Sequence, residues 1–261
     1  MKTLKFESEP EFAELWDACL HNLIYDKNSY VGDVVRLFNS IGTNRSSRIL
    51  DTCAGTGFIS LYLRQLGYNV DCMDLMDDEI KTFKRNAKSL GVSLKIKKLS
   101  WNEIPTNFSS ETYDFLFCRG NSFIYADGGW NENQDVSKER SLESYKQTLK
   151  IFYDSLKQGG YLYVDKFPDN ETPHNDVVAK IKVGETEEDL VFYTQRFPEK
   201  GYRKASMTRR GKDGKESSVP NITYNLKEGE LEEMAKEVGF NEINRLKLDS
   251  ENHFNVWLLR K

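Results

Sequence analysis

The chain has 261 residues, a formal net charge of −4 and 38% hydrophobic residues, which is enough for one large α/β domain with or without an inserted subdomain. The negative charge argues against nucleic acid as a partner, because phosphate contacts usually come from a concentrated Lys and Arg surface. No stretch approaches the roughly 18 apolar residues of a membrane span, and the first residues do not resemble a secretion signal, so we expect a cytoplasmic protein without membrane contact.

The four cysteines are scattered at positions 19, 53, 72 and 118 and form no Cys-x-x-Cys pair. This spacing is typical of small apolar side chains in a reducing compartment. We therefore expect neither disulfides nor a metal site.

Residues 9–40 carry apolar side chains at helical spacing, in two runs. They predict two helices before the core, which we assign to an N-terminal helical lid over residues 1–45.

Strands and helices then alternate, as expected for a parallel sheet with helices on both faces. The apolar runs that predict strands lie at 48–51, 69–74, 94–98, 113–118 and 161–165. Helices are predicted after the first strand, at 77–90, and at 138–157 with an end at Gly159-Gly160. We assign residues 46–167 to this core.

Beyond Pro168 the pattern becomes polar and partly alternating, with predicted strands at 189–197, 204–210 and 218–226. Residues 168–222 are therefore expected to form an antiparallel β insertion near the substrate pocket. Residues 223–261 supply a helix at 227–238 and two closing strands at 242–248 and 254–259. The predicted fold is α/β and Rossmann-like: a doubly wound, mostly parallel sheet with a C-terminal antiparallel hairpin, the helical lid and the β insertion.

The clearest chemical motif is Asp51-Thr52-Cys53-Ala54-Gly55-Thr56-Gly57, directly after the first core strand. Gly55 and Gly57 permit a tight turn and a close backbone approach to a nucleoside cofactor at the carboxyl ends of the strands. Asp74 ends the second strand, 17 residues after Gly57, where a carboxylate can accept both ribose hydroxyls. The alternative is a tight turn beside an incidental acidic strand end.

The choice of cofactor depends on the residues around this turn. A dinucleotide fold usually has a third glycine, but the position three beyond Gly57 is Ser60. Asp51 would repel a pyrophosphate and suits a positively charged amino group. The turn therefore favours S-adenosyl-L-methionine over NAD.

Five segments, ILDTCAGTG, VDCMDLMDDEI, LSWNEI, YDFLFCRGNSF and LKQGGYLYVDKF, resemble class I S-adenosylmethionine-dependent methyltransferases, and most closely the glycine N-methyltransferase group. The similarity spans roughly residues 25–167. The segment Gly120 to Phe123 is its most specific element, because the general fold does not demand it.

The resemblance implies the following cofactor contacts in this chain: Tyr30, Asp51, Cys53, Ala54, Gly55, Gly57, Asp74, Leu75, Met76, Ser100, Trp101, Arg119 and Gly120. Cys53 and the glycines would hold the methionine part, Asp74 the ribose, and Met76 and Trp101 the adenine. Tyr25 and Tyr30 fall where the family places a lid over the sulfonium, whose charge aromatic faces stabilise. Asn121, Tyr25 and Tyr125 would position the methyl acceptor.

Two departures bear on the acceptor. Family members that act on glycine have a DHRN-like sequence after the fifth strand, whose arginine holds the amino-acid carboxylate, whereas this chain has Asp165-Lys166-Phe167-Pro168. A lysine cannot reproduce the bidentate arginine fork. Where the family has GNSFAHL, this chain has GNSFIYA, so we expect glycine to be a poor acceptor.

The sequence therefore predicts a methyltransferase whose partner is a small molecule, with N-methylation of a small amine or amino acid as the first interpretation. O-methylation of an anionic small molecule, such as a sugar or phosphate derivative, is the second. A basic segment at 196–215 is either a solvated β-ribbon or the anion contact. A nucleic-acid methyltransferase, a non-catalytic cofactor-binding protein and assembly into a homo-oligomer stay open.

Overall fold

The computed structural model describes residues 1–129, 135–170 and 173–261. Its strands are β1 (Lys2–Phe6), β2 (Arg48–Asp51), β3 (Asn69–Asp74), β4 (Ile96–Lys98), β5 (Tyr113–Cys118), β6 (Leu156–Lys166), β7 (His174–Val183), β8 (Thr186–Phe197), β9 (Tyr202–Arg210), β10 (Glu216–Tyr224), β11 (Glu242–Leu246) and β12 (Asn255–Arg260). Its α-helices are α1 (Phe12–Cys19), α2 (Lys27–Ile41), α3 (Ser60–Gln65), α4 (Asp77–Ser89), α5 (Ile104–Asn107), α6 (Lys138–Ser155) and α7 (Glu228–Val238).

A seven-stranded sheet forms the core, in the order β11-β12-β6-β5-β2-β3-β4. The five central strands are parallel, and β12 runs antiparallel to both of its neighbours. The chain passes from β2 to β3 and β4 on one side and returns to β5 on the other. The crevice at the carboxyl ends of β2 and β5 is therefore the switch point where open α/β sheets bind ligands. The predicted α/β fold with a C-terminal antiparallel hairpin is confirmed.

Apolar side chains cover both faces of this sheet. One cluster joins β2 and β5 to the helices before and after β2, with Phe38, Phe115 and Phe117 fully buried. The other joins the opposite face to α6 and α7, with Tyr145, Phe152 and Trp257 among its buried side chains. Near-continuous apolar strands such as β5 follow from burial on two sides.

A second sheet of five strands, in the order β1-β7-β8-β9-β10, accounts for the predicted antiparallel insertion. It differs from the prediction in two neighbouring strands at one edge, β1 and β7. Residues 2–6, assigned to a helical lid, form β1, which pairs in parallel with β7. The alternation of Leu4 and Phe6 with polar residues is the period-2 pattern of a half-buried strand, and Leu4 is 4% exposed. The strand β7 was not predicted.

Most of the remaining segment predicted as a lid is helical: α1 and α2 flank a π-helical turn over Leu20–Ile24. The helix predicted to reach Lys157 ends at Ser155, because Leu156 already pairs with Tyr113 of β5. Within the described residues, no helix is long and apolar enough to cross a lipid bilayer.

Gly57 sets how closely helix α3 approaches the first core strand. It has a φ of +91°, and a Cβ atom there would lie 2.7 Å from Cδ1 of Leu61 and 2.9 Å from Cδ2 of Phe83. Any side chain at this position would therefore push α3 or α4 away from the sheet.

Gly57→Ala is expected to lower the free energy of unfolding by about 1–3 kcal/mol from overpacking, in addition to the roughly 1–2 kcal/mol that a left-handed backbone costs an L-residue. Chemical denaturation measures the sum. Gly91→Ala is the matched control, since Gly91 has a φ of +64° and no atom lies within 4 Å of the place that its Cβ would take. Equal losses in the two variants would contradict the clash.

Candidate active site

A cavity of about 1060 Å³ opens at the carboxyl ends of β2, β3 and β5. The loops after these strands form its floor, and apolar side chains of α1 and the turn that follows it, including Trp16 and Leu20, form one side. Side chains of the second sheet, including Phe192, which contacts Trp16, continue this wall. The volume is at the upper end of the roughly 300–1,000 Å³ of small-molecule sites.

The glycine-bearing loop enters the cavity through Cys53, Ala54 and Gly55. Gly55 has a φ of +52°, a conformation that glycine adopts without strain. Gly57, a predicted cofactor contact, does not line the cavity, because its missing side chain makes room for Leu61 and Phe83 instead. Gly55 therefore borders the cavity, whereas Gly57 allows α3 and α4 to pack closely.

Asp74 joins the end of β3 to this loop. Its Oδ2 accepts a hydrogen bond from the backbone N–H of Gly55 at 2.8 Å, and its Oδ1 accepts one from Met76 at 3.0 Å. Burial raises the pKa of this carboxyl. Asp74 lines the cavity, so its remaining acceptor capacity faces the position predicted for a ribose.

Asp51 does not lie in the cavity wall, which corrects the prediction that it contacts an amino group. It is 1% exposed and accepts hydrogen bonds from the Ser60 hydroxyl at 2.5 Å and the Cys53 N–H at 3.3 Å. Burial raises its pKa to about 6. Asp51 fixes the start of the loop, and Ser60, where a dinucleotide fold would have glycine, is its partner.

Four of the predicted cofactor contacts on the loops after β3 and β4 line the cavity. Leu75 and Met76 are 54% and 38% exposed, and Ser100 and Trp101 line the wall beside them. The indole N–H of Trp101 donates to the Thr52 carbonyl at 2.7 Å, which holds the ring against the loop. Exposed apolar side chains and a held indole that line one cavity are suited to an aromatic base.

Arg119 follows β5 and lies at the back of the cavity, 8% exposed. Its guanidinium carbon is 5.3, 5.2 and 5.0 Å from the ring centroids of Tyr25, Tyr30 and Phe58. Its Nε donates to the Tyr30 hydroxyl at 3.4 Å, whereas Nη2 is buried with no hydrogen-bond partner among the described residues. This buried donor marks a place where an anionic ligand group would be stabilised.

Tyr25 and Tyr30 support Arg119 and do not line the cavity, in contrast to the prediction. They are 4% and 0% exposed. The Tyr25 hydroxyl donates to Glu251 at 2.8 Å, and the Tyr30 hydroxyl lies 3.1 Å from that of Tyr163. Their rings pack on the guanidinium of Arg119, which is permanently charged. The aromatic cluster that was expected above a sulfonium therefore surrounds a cation of the chain itself.

The turn after Arg119 is held by Asp165 at the end of β6. The carboxylate accepts the backbone N–H groups of Gly120 at 3.0 Å and Asn121 at 2.6 Å. Burial raises the pKa of Asp165 to about 7, and the nearby positive charge of Arg119 opposes this rise. Gly120 and Asn121 both line the cavity.

Asn121 is held in a left-handed conformation, with a φ of +61°, which asparagine adopts more readily than most residues. Its Oδ1 accepts the backbone N–H of Phe167 at 3.1 Å, which leaves the amide nitrogen as the group that can donate to a ligand. Tyr125 also lines the cavity, and burial raises its pKa to about 12. It stays protonated near neutral pH and can orient a ligand but not take up a proton.

Glu79 is a cavity residue that the sequence prediction missed. Its Oε2 is buried without a hydrogen-bond partner among the described residues, 3.5 Å from where a Cβ of Gly55 would lie. Burial raises its pKa to about 9, and Asp74 adds to the effect. The signal was available, since Glu79 precedes the buried Phe83 by four residues and so shares its face of α4.

The basic segment contributes one arginine to the cavity wall. Arg203 lies there, 6% exposed, with its guanidinium carbon 4.7 Å from the Phe167 ring centroid. Arg209 pairs with Glu188 and Glu9, and Arg210 with Glu216. Lys166, after β6, donates to Asp169 at 2.8 Å.

Histidines 174 and 253 also line the cavity, whereas His21 pairs with Asp17 at 3.6 Å. Within 1–129, 135–170 and 173–261, no group of His, Cys, Asp and Glu side chains has the arrangement of a metal site.

Comparisons with known proteins agree with this architecture. Residues 49–160 match a family model described as a methyltransferase domain. A glycine/sarcosine N-methyltransferase of Aphanothece halophytica is 28% identical over 156 residues, which are 59% of this chain and 52% of that protein. The chain thus matches about half the length of this relative.

Two solved structures share the fold over nearly the whole chain. One is an S-adenosylmethionine-dependent methyltransferase from Clostridium acetobutylicum, with a TM-score of 0.70, 14% identity and coverage of 95% of this chain and 97% of that one. The other is an amino pentose methyltransferase from Micromonospora echinaspora, with a TM-score of 0.67, 14% identity and coverage of 97% and 98%. Residues 49–160 of this chain are therefore similar to a methyltransferase domain, and the chain resembles glycine/sarcosine N-methyltransferases in sequence.

Proposed function

We propose that the protein transfers a methyl group from S-adenosyl-L-methionine to the nitrogen of a small amine or amino acid. The observation that carries this proposal is the meeting of three features in one cavity: the glycine-bearing loop, the Asp74 carboxylate and the buried guanidinium of Arg119. The names of the related N-methyltransferases support the choice of nitrogen as the acceptor atom.

The residues present fit the proposed cofactor. Asp74 has acceptor capacity for ribose hydroxyls, the part of the cavity beside Met76 and Trp101 suits adenine, and the unpartnered Nη2 of Arg119 suits a carboxylate of the methionine part. Tyr25 and Tyr30 would affect cofactor binding indirectly, by holding Arg119 in place. Asp51 and Gly57 would do so by fixing the shape of the glycine-bearing loop.

When bound, S-adenosylmethionine supplies an electrophilic methyl group on a sulfonium. The chain's own contribution is to exclude water, through the apolar side of the cavity, and to orient the acceptor. The amide nitrogen of Asn121 and the hydroxyl of Tyr125 are the groups we assign to this orientation. A neutral amine needs no strong base, and Tyr125, with its raised pKa, would not provide one.

O-methylation of an anionic small molecule is the second candidate, and Arg203 is the observation that favours it. A guanidinium in the acceptor side of the cavity can hold a carboxylate or phosphate. The amino pentose methyltransferase with the same fold indicates that such a frame can accept molecules of sugar size.

We also propose a cytoplasmic location and a small-molecule partner, and leave a homo-oligomer open.

Mass-spectrometric detection of methylated product, with S-adenosylmethionine and a panel of amines, amino acids, hydroxy acids and sugar phosphates, tests the proposal. Transfer to nitrogen in any of them supports it. Transfer to oxygen alone would favour the second candidate.

Asp74→Ala is expected to weaken S-adenosylhomocysteine binding by about 1.5–3 kcal/mol, because charge-assisted hydrogen bonds to the ribose are lost. Isothermal titration calorimetry gives the value. Asp77→Ala is the control, since Asp77 is 80% exposed and pairs with Lys98. Comparable affinities of the two variants and the wild type would mean that Asp74 serves only the loop.

Asn121→Gly is expected to lower turnover about tenfold or more while leaving cofactor affinity within about twofold, because the lost group orients the acceptor. Glycine is chosen because it adopts the φ of +61° without strain. Single-turnover rates and calorimetry separate the two effects. A parallel loss of cofactor binding would move Asn121 to the cofactor side.

Arg203→Gln is expected to raise the KM for amino-acid acceptors about tenfold or more, since a hydrogen bond to a charged group contributes about 1.5–3 kcal/mol. Amines of the same shape without the carboxylate should be unaffected. Added salt should raise the wild-type KM for the amino acids by screening. Arg210→Gln is the matched control, and an equal effect in both variants would contradict a contact at Arg203.

A further inference from the structure

The second sheet presents an ordered face to the cavity. Thr194 of β8 lies opposite Ala205 of β9, which lies opposite Asn221 of β10. These three residues form one row across the strands, and all three line the cavity. We call it the polar row.

Two residues further along, a second row runs parallel to the first. It consists of Phe192, Met207 and Val219, which are paired in the same way and also line the cavity. Because side chains alternate along a strand, both rows lie on one face, roughly 6–7 Å apart. We call this second set the apolar row.

The apolar row continues into the N-terminal helix. The Trp16 ring meets Phe192 edge to face, with centroids 6.3 Å apart, and Trp16 lines the cavity as well. Together they make an apolar corner that would gain free energy by covering an apolar group, at about 25 cal/mol for each Å² removed from water.

The polar row has unsatisfied hydrogen-bonding atoms. The Thr194 hydroxyl oxygen and Asn221 Oδ1 are buried and have no hydrogen-bond partner among the described residues. Their residues are 3% and 9% exposed. A buried polar group without a partner is destabilising, and a ligand that brings a donor would remove this penalty. Asn221 Oδ1 can only accept, so the ligand group should carry an N–H or O–H.

The cavity also has room for more than a small acceptor. Its 1060 Å³ extends from Trp101 to both rows of the second sheet. A nucleoside cofactor at the loops leaves the space along the sheet for a second molecule. Glycine has neither an apolar body to cover the apolar row nor a hydroxyl or amide group to pair with the polar row.

We propose that these two rows select the methyl acceptor, and that the acceptor is an amine larger than glycine with an apolar body and a hydroxyl or amide group. The apolar body packs on Phe192, Met207 and Val219, and the hydroxyl or amide donates to Asn221 and Thr194. This inference rests on the proposed methyl transfer and names the class of its acceptor.

The test compares glycine, 2-phenylethylamine and tyramine, the last of which adds a hydroxyl to the second. Methylated product is measured by mass spectrometry, and binding of each amine is measured by calorimetry in the presence of S-adenosylhomocysteine. Wild-type protein should bind and methylate tyramine about tenfold better than 2-phenylethylamine, as loss of a hydrogen bond predicts, and glycine least.

Thr194→Val and Asn221→Leu should each weaken tyramine binding about three- to tenfold and leave 2-phenylethylamine and cofactor binding unchanged. Phe192→Ala should weaken both aromatic amines. Thr208→Val is the matched control: Thr208 lies on β9 with the opposite side-chain direction, and its hydroxyl donates to Ser218 at 2.9 Å. Valine there should change neither amine.

The outcomes separate the two levels of inference. Failure to bind S-adenosylhomocysteine would overturn the proposed function itself. If the protein binds the cofactor, three results would overturn the acceptor class and leave the proposed methyl transfer standing. They are a preference for glycine, no binding of either aromatic amine, or equal effects of Thr194→Val and Thr208→Val.

Discussion

Three buried carboxylates at the carboxyl edge of the sheet hold the loops that make the cavity. Asp51, Asp74 and Asp165 end β2, β3 and β6, and each accepts a backbone N–H from a loop that follows a strand. Loops at this edge have backbone N–H groups that cannot pair with a neighbouring strand, and one carboxylate can accept two of them at once. The positions of Gly55, Gly120 and Asn121 all depend on these bonds. Burial makes each carboxylate harder to ionise, and the N–H groups compensate for part of this cost.

Much of the core could be predicted from the sequence because its elements are long and their apolar periods are clear. The helix at Asp77–Ser89, the strand at Tyr113–Cys118 and the closing hairpin follow directly from those periods. The N-terminal strand could not be placed with similar ease. Five residues with two apolar positions are too short a signal, and the partner strand β7 lies far away in the chain.

About as much of the cavity lining as of the fold was predicted from the sequence. The residues that were not predicted were missed for a physical reason. Motifs identify residues next to glycine turns, and Cys53, Gly55, Asp74 and Trp101, which were predicted in this way, all line the cavity. Their contact with a cofactor stays a prediction. A motif does not reveal which side chains already bond to or pack on other groups of the chain. Asp51 bonds to Ser60, and Tyr25 and Tyr30 pack on Arg119. Thr194 and Asn221 were missed because only the pairing of strands in the second sheet brings them to the cavity.

The pairing of β1 with β7 has a consequence for the order in which the molecule assembles. Lys2 lies beside Ala179, so this contact closes a very long loop and carries a correspondingly large entropic cost. The neighbouring strands β2 and β3 pair over short separations and can form early. The edge formed by β1 should thus be the last part of the second sheet to gain protection from hydrogen exchange during refolding and the first to lose it by local opening. The hairpins of β8, β9 and β10, which carry the two rows that face the acceptor, pair over short separations and should keep their protection longer.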